Sequence, residues 1–389
     1  MSRKRAVVVV LDGLGVGDAP DAAAFGDGGA NTLSNTARAV GGVNAPNLQR
    51  LGLGNTTIIK GIPPNGSPDG VWGVAEEKSA AKATLAGHWE MMGLVVRDAL
   101  PTYPDGFPKS ITSRFTEETG RGVLGNRPAS GTEILEELGE EQRNSGRWIL
   151  YTSADSVFQV AANTEFIPLE ELYAACEKAH HMLIGEGGIK VERVIARPYH
   201  GGPGNYEREH ENRHDYGITP PSETYLDRIK AAGHETVAVG KIRDIFDGRG
   251  LSRHLPAPPD DAAKVEAILK VLPQIGSGFV FANLVDFDAK FGHRRDPAGM
   301  AGNIESFDRR LPELRAAMSD GDLLIITADH GNDPTFSGTD HTRERVPLLA
   351  VGGGISGEVG VRDGFSDIGA SVAAWLGVER GELPGRSFI

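Results

Sequence analysis

The chain has 389 residues, 39% hydrophobic and 24% charged, which is a globular composition and not a disordered one. Its formal net charge of -13 argues against a non-specific nucleic-acid binder and makes acidic side chains available to hold cations. Length suggests about two or three domains. The single cysteine, Cys176, allows no intrachain disulfide, which fits a reducing cytoplasm.

In chain order, the first predicted element is the apolar run 6–11. With Arg3, Lys4 and Arg5 ahead of it, it mimics the start of a signal peptide. Six apolar residues stopped by Asp12 are too few for an export signal or a membrane span, so the run reads as a buried strand. Further runs at 236–239, 279–285, 323–327 and 347–351 read as fully buried parallel strands. Stretches 222–232, 262–272, 304–318 and 368–376 carry helical apolar spacing, with Asp367 as a plausible N-cap for the last. Alternating strands and helices imply an α/β sheet covered on both faces.

The middle of the chain differs. Residues 103–108 are turn-rich and read as a linker. Predicted helix 132–142, strand 148–152, helix 169–183 and strand 191–196 follow, and the polar stretch 201–216 returns to the main domain. The simplest organisation is a discontinuous core, 1–100 and 217–389, interrupted by an α+β insert, 101–216.

Carboxylates and imidazoles gather where these strands end. Asp12 follows the first. Asp288 and His293 follow the run at 279–285, with Asp286 as a rival carboxylate. Asp329 and His330 follow the run at 323–327, and His341 returns from a loop before the next strand. Ligands of open α/β sheets bind at such carboxyl ends. Gly331 permits a bend that lets the adjacent Asp329 and His330 serve one ion. Imidazole and carboxylate without thiolate suit Mn2+, Zn2+ or Fe2+. Two ions about 4 Å apart can clamp the attacking and leaving oxygens of an in-line transfer. The glycines after Asp12 do not complete a dinucleotide fingerprint, because its third glycine falls at Asp18. Composition does not choose between Ser79 and Thr84 as a nucleophile.

Several blocks narrow the reading: Lys82-Ala83-Thr84, Gly87-His88-Trp89-Glu90, Pro128-Ala129-Ser130-Gly131-Thr132-Glu133, Tyr151-Thr152-Ser153-Ala154-Asp155-Ser156 and Asn212-Arg213-His214-Asp215-Tyr216. Asn283-Leu284-Val285-Asp286-Phe287-Asp288, Phe291-Gly292-His293-Arg294-Arg295-Asp296 and Ala328-Asp329-His330-Gly331-Asn332-Asp333 complete the set. Together they resemble the phosphopentomutase family of the alkaline phosphatase superfamily over nearly the whole chain. The resemblance implies an alkaline-phosphatase-like α/β core with a central, mostly parallel sheet and an inserted α+β cap domain for substrate recognition. It implies interconversion of ribose 1-phosphate and ribose 5-phosphate, and of the 2-deoxy sugars, through a phosphothreonine on Thr84 and a 1,5-bisphosphate.

Carried over to these positions, Asp288, His293 and His341 hold one manganese ion (Mn2+), while Asp12, Asp329 and His330 hold a second. A sugar bisphosphate such as glucose 1,6-bisphosphate primes the enzyme. Ser153, Asp155, Arg197 and Arg213 are candidates for holding the pentose phosphate substrate, with Lys241 contributing from the core; an arginine fork suits phosphate geometry. The resemblance also implies a cytoplasmic enzyme, expected as a monomer, with no nucleic-acid or membrane partner. One departure stands out. Ala81 and Ala83 occupy positions where the family pattern has glycine and aspartate, which bears on turnover more than on reaction class. The competing readings are a phosphatase or phosphodiesterase on the same core, a cofactor-independent phosphoglycerate mutase (serine nucleophile, other cap motifs), and a metal-binding protein that has lost catalysis.

Overall fold

The computed structural model describes residues 4–98, 101–153, 156–185, 190–256 and 258–389. The chain divides into two compact units, one formed by 1–99 with 219–389 and the other by Leu100–Ile218. The first unit opens with β1 (Arg5–Leu11) and β2 (Val71–Ala75). The second holds β3 (Val123–Pro128), β4 (Trp148–Thr152), β5 (Val157–Asn163), β6 (Arg193–Gly202), β7 (Asn205–Arg208) and β8 (His214–Gly217). The chain then returns to the first with β9 (Glu235–Val239), β10 (Arg253–His254), β11 (Gly278–Leu284), β12 (Asp322–Thr327), β13 (Val346–Val351) and β14 (Gly357–Arg362).

The sheet of the first unit runs β10-β9-β11-β1-β12-β13-β2-β14. Every residue of β1, β11 and β12 is buried. Both faces are therefore covered, which is why these strands read as continuous apolar runs without alternation. The helices Asp261–Val271 and Pro297–Ala316 pack against each other, and Ser366–Leu376 packs against Tyr225–Ala231. The α/β class with a mostly parallel sheet thus holds. Two local expectations do not. The run 347–351 lies in β13, which is antiparallel to both neighbours, β12 and β2. No helix connects β12 to β13, and a helix is the usual crossover to a parallel neighbour. Asp367 is not the N-cap of the last helix, a place taken by Phe365. Its carboxylate instead accepts from Arg362 Nε at 2.7 Å and Arg386 N at 2.7 Å.

The second unit is built on a mixed sheet, β3-β4-β5-β6-β7, with β8 also pairing β6. Phe107, Phe115, Trp148, Phe158 and Cys176 are among its buried core residues. Residues 103–108 are therefore no linker: the Tyr103 and Phe107 rings pack 4.4 Å apart, and Phe107 lies 4.8 Å from Phe158. Nor does 201–216 lead straight out of the unit, because β7 and β8 both pair with the long strand β6. The helix expected over 169–183 ends at His180 and continues as a π-helical turn, His181–Gly185. Among the described residues, no helix is long and apolar enough to cross a membrane.

Candidate metal centre

Three parallel strands, β11, β1 and β12, lie side by side with Leu11 opposite Leu284 and Val10 opposite Thr327. Their carboxyl ends coincide, so the residues that follow them converge. Asp12 follows β1 directly. Asp288 sits on the π-helical turn Phe287–Gly292, with His293 as its C-cap. Asp329 follows β12, and a bridge between Gly331 and Thr342 folds His341 back beside it. The six expected ligands form two groups, Asp288 with His293 and His341, and Asp12 with Asp329 and His330. Within each group the ligand atoms lie within 4.8 Å of one another. The rings of His330 and His341 stack at 3.8 Å, which ties the two groups together. Asp286 joins neither group. It pairs with Lys290 at 2.8 Å and Lys264 at 3.9 Å, and its backbone N–H donates to Asp261.

Backbone carbonyls orient all three imidazoles. His293 Nδ1 lies 2.7 Å from Thr339 O, His341 Nδ1 2.8 Å from Lys82 O, and His330 Nδ1 3.0 Å from Gly331 O. With Nδ1–H donating in each, every Nε2 lone pair faces inward. The neighbours of those lone pairs are carboxylate oxygens: Asp288 at 3.3 Å from both His293 and His341, Asp329 at 3.2 Å and Asp12 at 3.4 Å from His330. A carbonyl fixing the far nitrogen is the usual arrangement of metal-binding histidine. Asp12 Oδ1 is buried without a hydrogen-bond partner, a costly state for a carboxylate unless a cation faces it; Asp329 Oδ2, also buried, faces His88 Nδ1 and His330 Nε2, each at 3.2 Å. The donor set fits divalent cations.

The electrostatics agree for His330; for His293, burial lowers the pKa and Asp288 raises it, with a net rise. Burial, then repulsion from Asp329 and Asp288, raises the Asp12 carboxyl well above its usual range. Burial pushes His330 down to about 4, so it is neutral and keeps its lone pair. Burial opposes ionisation of Asp329 and Asp288, but nearby histidines outweigh it, holding Asp329 at about 2 and Asp288 well below normal.

Thr84 opens the helix Thr84–Met91, and its Oγ1 lies 3.0 Å from His330 Nε2. Ser79 is elsewhere: its hydroxyl is buried against Glu90 Oε2 at 2.7 Å. Ala83 is the N-cap and offers no side-chain cap bond. The loop before Thr84 is held from outside instead. Arg343 Nη1 donates to Ala81 O at 2.8 Å, and Lys82 Nζ pairs with Asp27 at 3.0 Å and Asp340 at 3.2 Å. Lys241 is exposed, and its charge lowers the Asp12 pKa against the burial that raises it. In the second unit, Ser153, Arg197 and Arg213 line a cavity of about 290 Å³ together with Arg193 and Arg208. Arg213 is forked onto Asp215 at 2.6–2.7 Å. Asp155 lies outside the described residues.

Sequence reasoning gave several contributors no role. Asn332 Nδ2 donates to Asp288 Oδ1 at 2.7 Å. Arg295, at φ +54°, donates to Asn332 Oδ1, Asp333 O and Asp340 O and so staples the loop between β12 and β13. Buried Glu344 is bonded by Thr32, Thr342 and Gly17, and burial raises its carboxyl to about 7. Gly331 is required for space rather than for a bend, since a Cβ there would lie 2.3 Å from Glu344 Oε1 and its φ is not positive. Asn332 and Arg295 fall in distinctive sequence blocks, so position in a block was the available signal; Glu344 has none.

A family model described as the metalloenzyme superfamily matches residues 4–380. A phosphopentomutase of Desulfitobacterium hafniense is 49% identical over 388 residues, covering 99% of each chain. Another, from Anaeromyxobacter sp. (strain K), is 50% identical over 390 residues, covering 99% of this chain and 98% of its own. This chain belongs to the phosphopentomutase family. Among solved structures, the PH0037 protein from Pyrococcus horikoshii has a TM-score of 0.52 at 16% identity, covering 99% of this chain and 100% of that one. A phosphoglycerate mutase from Leishmania mexicana also reaches 0.52, at 14% identity and 99% and 97% coverage. These two likenesses show a shared fold. Membership of the phosphopentomutase family makes the chain an enzyme and bears out the resemblance carried by its sequence blocks.

Proposed function

We propose that the protein interconverts ribose 1-phosphate and ribose 5-phosphate, and the 2-deoxyribose equivalents, with Thr84 as the residue that carries the phosphoryl group. The observation that carries this reading is the Thr84 hydroxyl, held at a helix start 3.0 Å from His330 Nε2 and beside two carboxylate–imidazole groups. Asp288, His293 and His341 would hold one cation and Asp12, Asp329 and His330 the other, with Mn2+ as the ion expected for the family. Bound there, the pair supplies charge neutralisation at the phosphoryl oxygens and acidifies a nearby hydroxyl.

The protein's own share is placement. A bisphosphate activator such as glucose 1,6-bisphosphate first gives its phosphoryl group to Thr84. The Thr84 O–P bond then breaks as the C1 hydroxyl of ribose 5-phosphate bonds to phosphorus. That hydroxyl's proton ends on Thr84 Oγ1, and ribose 1,5-bisphosphate results. The bisphosphate reorients and returns its 5-phosphoryl group to Thr84, leaving ribose 1-phosphate. Four arginines around one cavity, Arg193, Arg197, Arg208 and Arg213, support a substrate-recognition role for the second unit, since guanidinium forks match phosphate. Lys241 is the candidate cation on the core side.

Incubation with ribose 5-phosphate, Mn2+ and catalytic glucose 1,6-bisphosphate tests the reading. Ribose 1-phosphate should appear, and Thr84→Ala should abolish its formation while Mn2+ content stays unchanged. Release of inorganic phosphate alone would reassign the chain to phosphatase chemistry.

A further inference from the structure

His88 and Asn283 belong to two of the distinctive sequence blocks, yet neither is among the expected ligands. Both are fully buried. His88 Nδ1 lies 2.8 Å from the carbonyl oxygen of Thr84, one helical turn back. Its Nε2 lies 3.1 Å from Asn283 Nδ2, and the same Asn283 nitrogen lies 2.9 Å from Asp12 Oδ2. With Asp12 ionised, as a cation ligand must be, the donors run in one sense. A carboxylate accepts only, so Asn283 donates one N–H to Asp12. Its second N–H goes to His88 Nε2, which is therefore unprotonated, and His88 Nδ1–H donates to Thr84 O. The opposite amide orientation would set Asn283 Oδ1 against a carboxylate oxygen and is excluded on that ground.

Asp12 is left with one oxygen capped by Asn283 and the other, Oδ1, without a hydrogen-bond partner. That bare oxygen faces His330 Nε2 at 3.4 Å.

We propose that His88 and Asn283 are positioning residues: their hydrogen-bonded path from the Thr84 carbonyl to Asp12 Oδ2 makes Asp12 a ligand through Oδ1 alone and ties the nucleophile's helix to it. This rests on the two-cation reading above. The path fixes two things that phosphoryl transfer needs fixed together, the start of the helix bearing Thr84 and the direction of one carboxylate. His88 touches no reacting atom; it acts through Thr84, through Asn283 and through Asp329, whose Oδ2 lies 3.2 Å from His88 Nδ1. The path does not extend to the other group, where Asp288 is held by Asn332.

Mn2+ binding by isothermal titration tests the path, with circular dichroism and metal-free denaturation midpoints to establish folding. Wild-type protein should bind in two steps. Asn283→Leu, close in size but unable to donate, should weaken one step by about 10–100-fold and spare the other, as removal of a ligand's outer partner does. His88→Gln keeps one donor and one acceptor and should retain most of the kcat that His88→Leu loses, with KM alike in both. Full-affinity binding of both ions by folded Asn283→Leu overturns the path alone, as does equal loss of kcat in the two His88 variants. The His88 comparison decides the matter if Asn283→Leu does not fold. Wild-type protein that takes up no Mn2+ overturns the two-cation reading, and the path with it.

Discussion

Gly87 allows the site's geometry to be perturbed without replacing a charged or polar side chain. It lies in the helix that begins at Thr84, and its missing side chain is where that helix meets the end of β12. A Cβ there would stand 2.2 Å from Asp329 O, 2.9 Å from Asp329 C and 3.0 Å from Asp329 Cβ. Carbon–oxygen contacts normally sit at about 3.3 Å or more, so Gly87→Ala must separate helix and strand end by roughly 1 Å. Two stability effects oppose each other. Alanine gains about 1 kcal/mol of helix propensity over glycine, while overpacking costs about 1–3 kcal/mol. The net loss is about 0–2 kcal/mol, which the fold survives. Activity has no such compensation. Displacing Thr84 by about 1 Å from the groups around Asp329 and His330 should lower kcat by about 100-fold. Conversion of ribose 1-phosphate to ribose 5-phosphate, measured beside the calorimetric midpoint, reads both quantities. A folded Gly87→Ala protein with kcat within about threefold of wild type would refute the link between this contact and the nucleophile's position.

Other outcomes follow from single residues. Ala83→Ser supplies the missing N-cap and should stabilise the protein by about 1 kcal/mol; an unchanged denaturation midpoint would show that the outside straps at Ala81 and Lys82 already do that work. Arg208→Met should raise KM for ribose 5-phosphate by about tenfold or more, the loss of one charge-assisted contact, with kcat little changed; an unaltered KM would remove this cavity from substrate binding. In metal-free protein, His330 is held at about 4, against about 6.5 when unfolded. Between those values the unfolded chain takes up a proton that the native side chain refuses. Stability is therefore full above pH about 6.5 and should fall by about 3 kcal/mol as the pH drops towards 4. Urea midpoints across that range should show a shallower dependence for His330→Asn, and identical slopes in the two proteins would contradict the assignment.

How far the site was legible depended on what kind of constraint each residue answers. Asp12, Asp288, His293, Asp329 and His330 could be picked out because each follows an apolar run or lies in a distinctive block, and His341 because it comes just before one. Their partners could not. Asn283 and His88 lie in distinctive blocks, but nothing local shows which groups they touch. Arg295 and Glu344 earn their places through carbonyls and amides far away in the chain. The arginine cavity was half seen: Arg197 and Arg213 were picked out, Arg193 and Arg208 were not, and β6, β7 and β8 bring all four together only by pairing.

The sequence by itself determined the buried parallel strands, the candidate ligand types at their ends and the family, because apolar runs and chemically distinctive blocks are local properties. Tertiary structure alone decided the rest. Strand β13 runs against its neighbours, reached by a loop and not by the helix that usually makes a parallel crossover. Gly331 is glycine because Glu344 needs its space. Thr84, and not Ser79, meets the ligand groups because Glu90 holds Ser79 while the helix start carries Thr84 to His330. Each of these is settled by residues far apart in the chain that touch only when the sheet has aligned its strand ends.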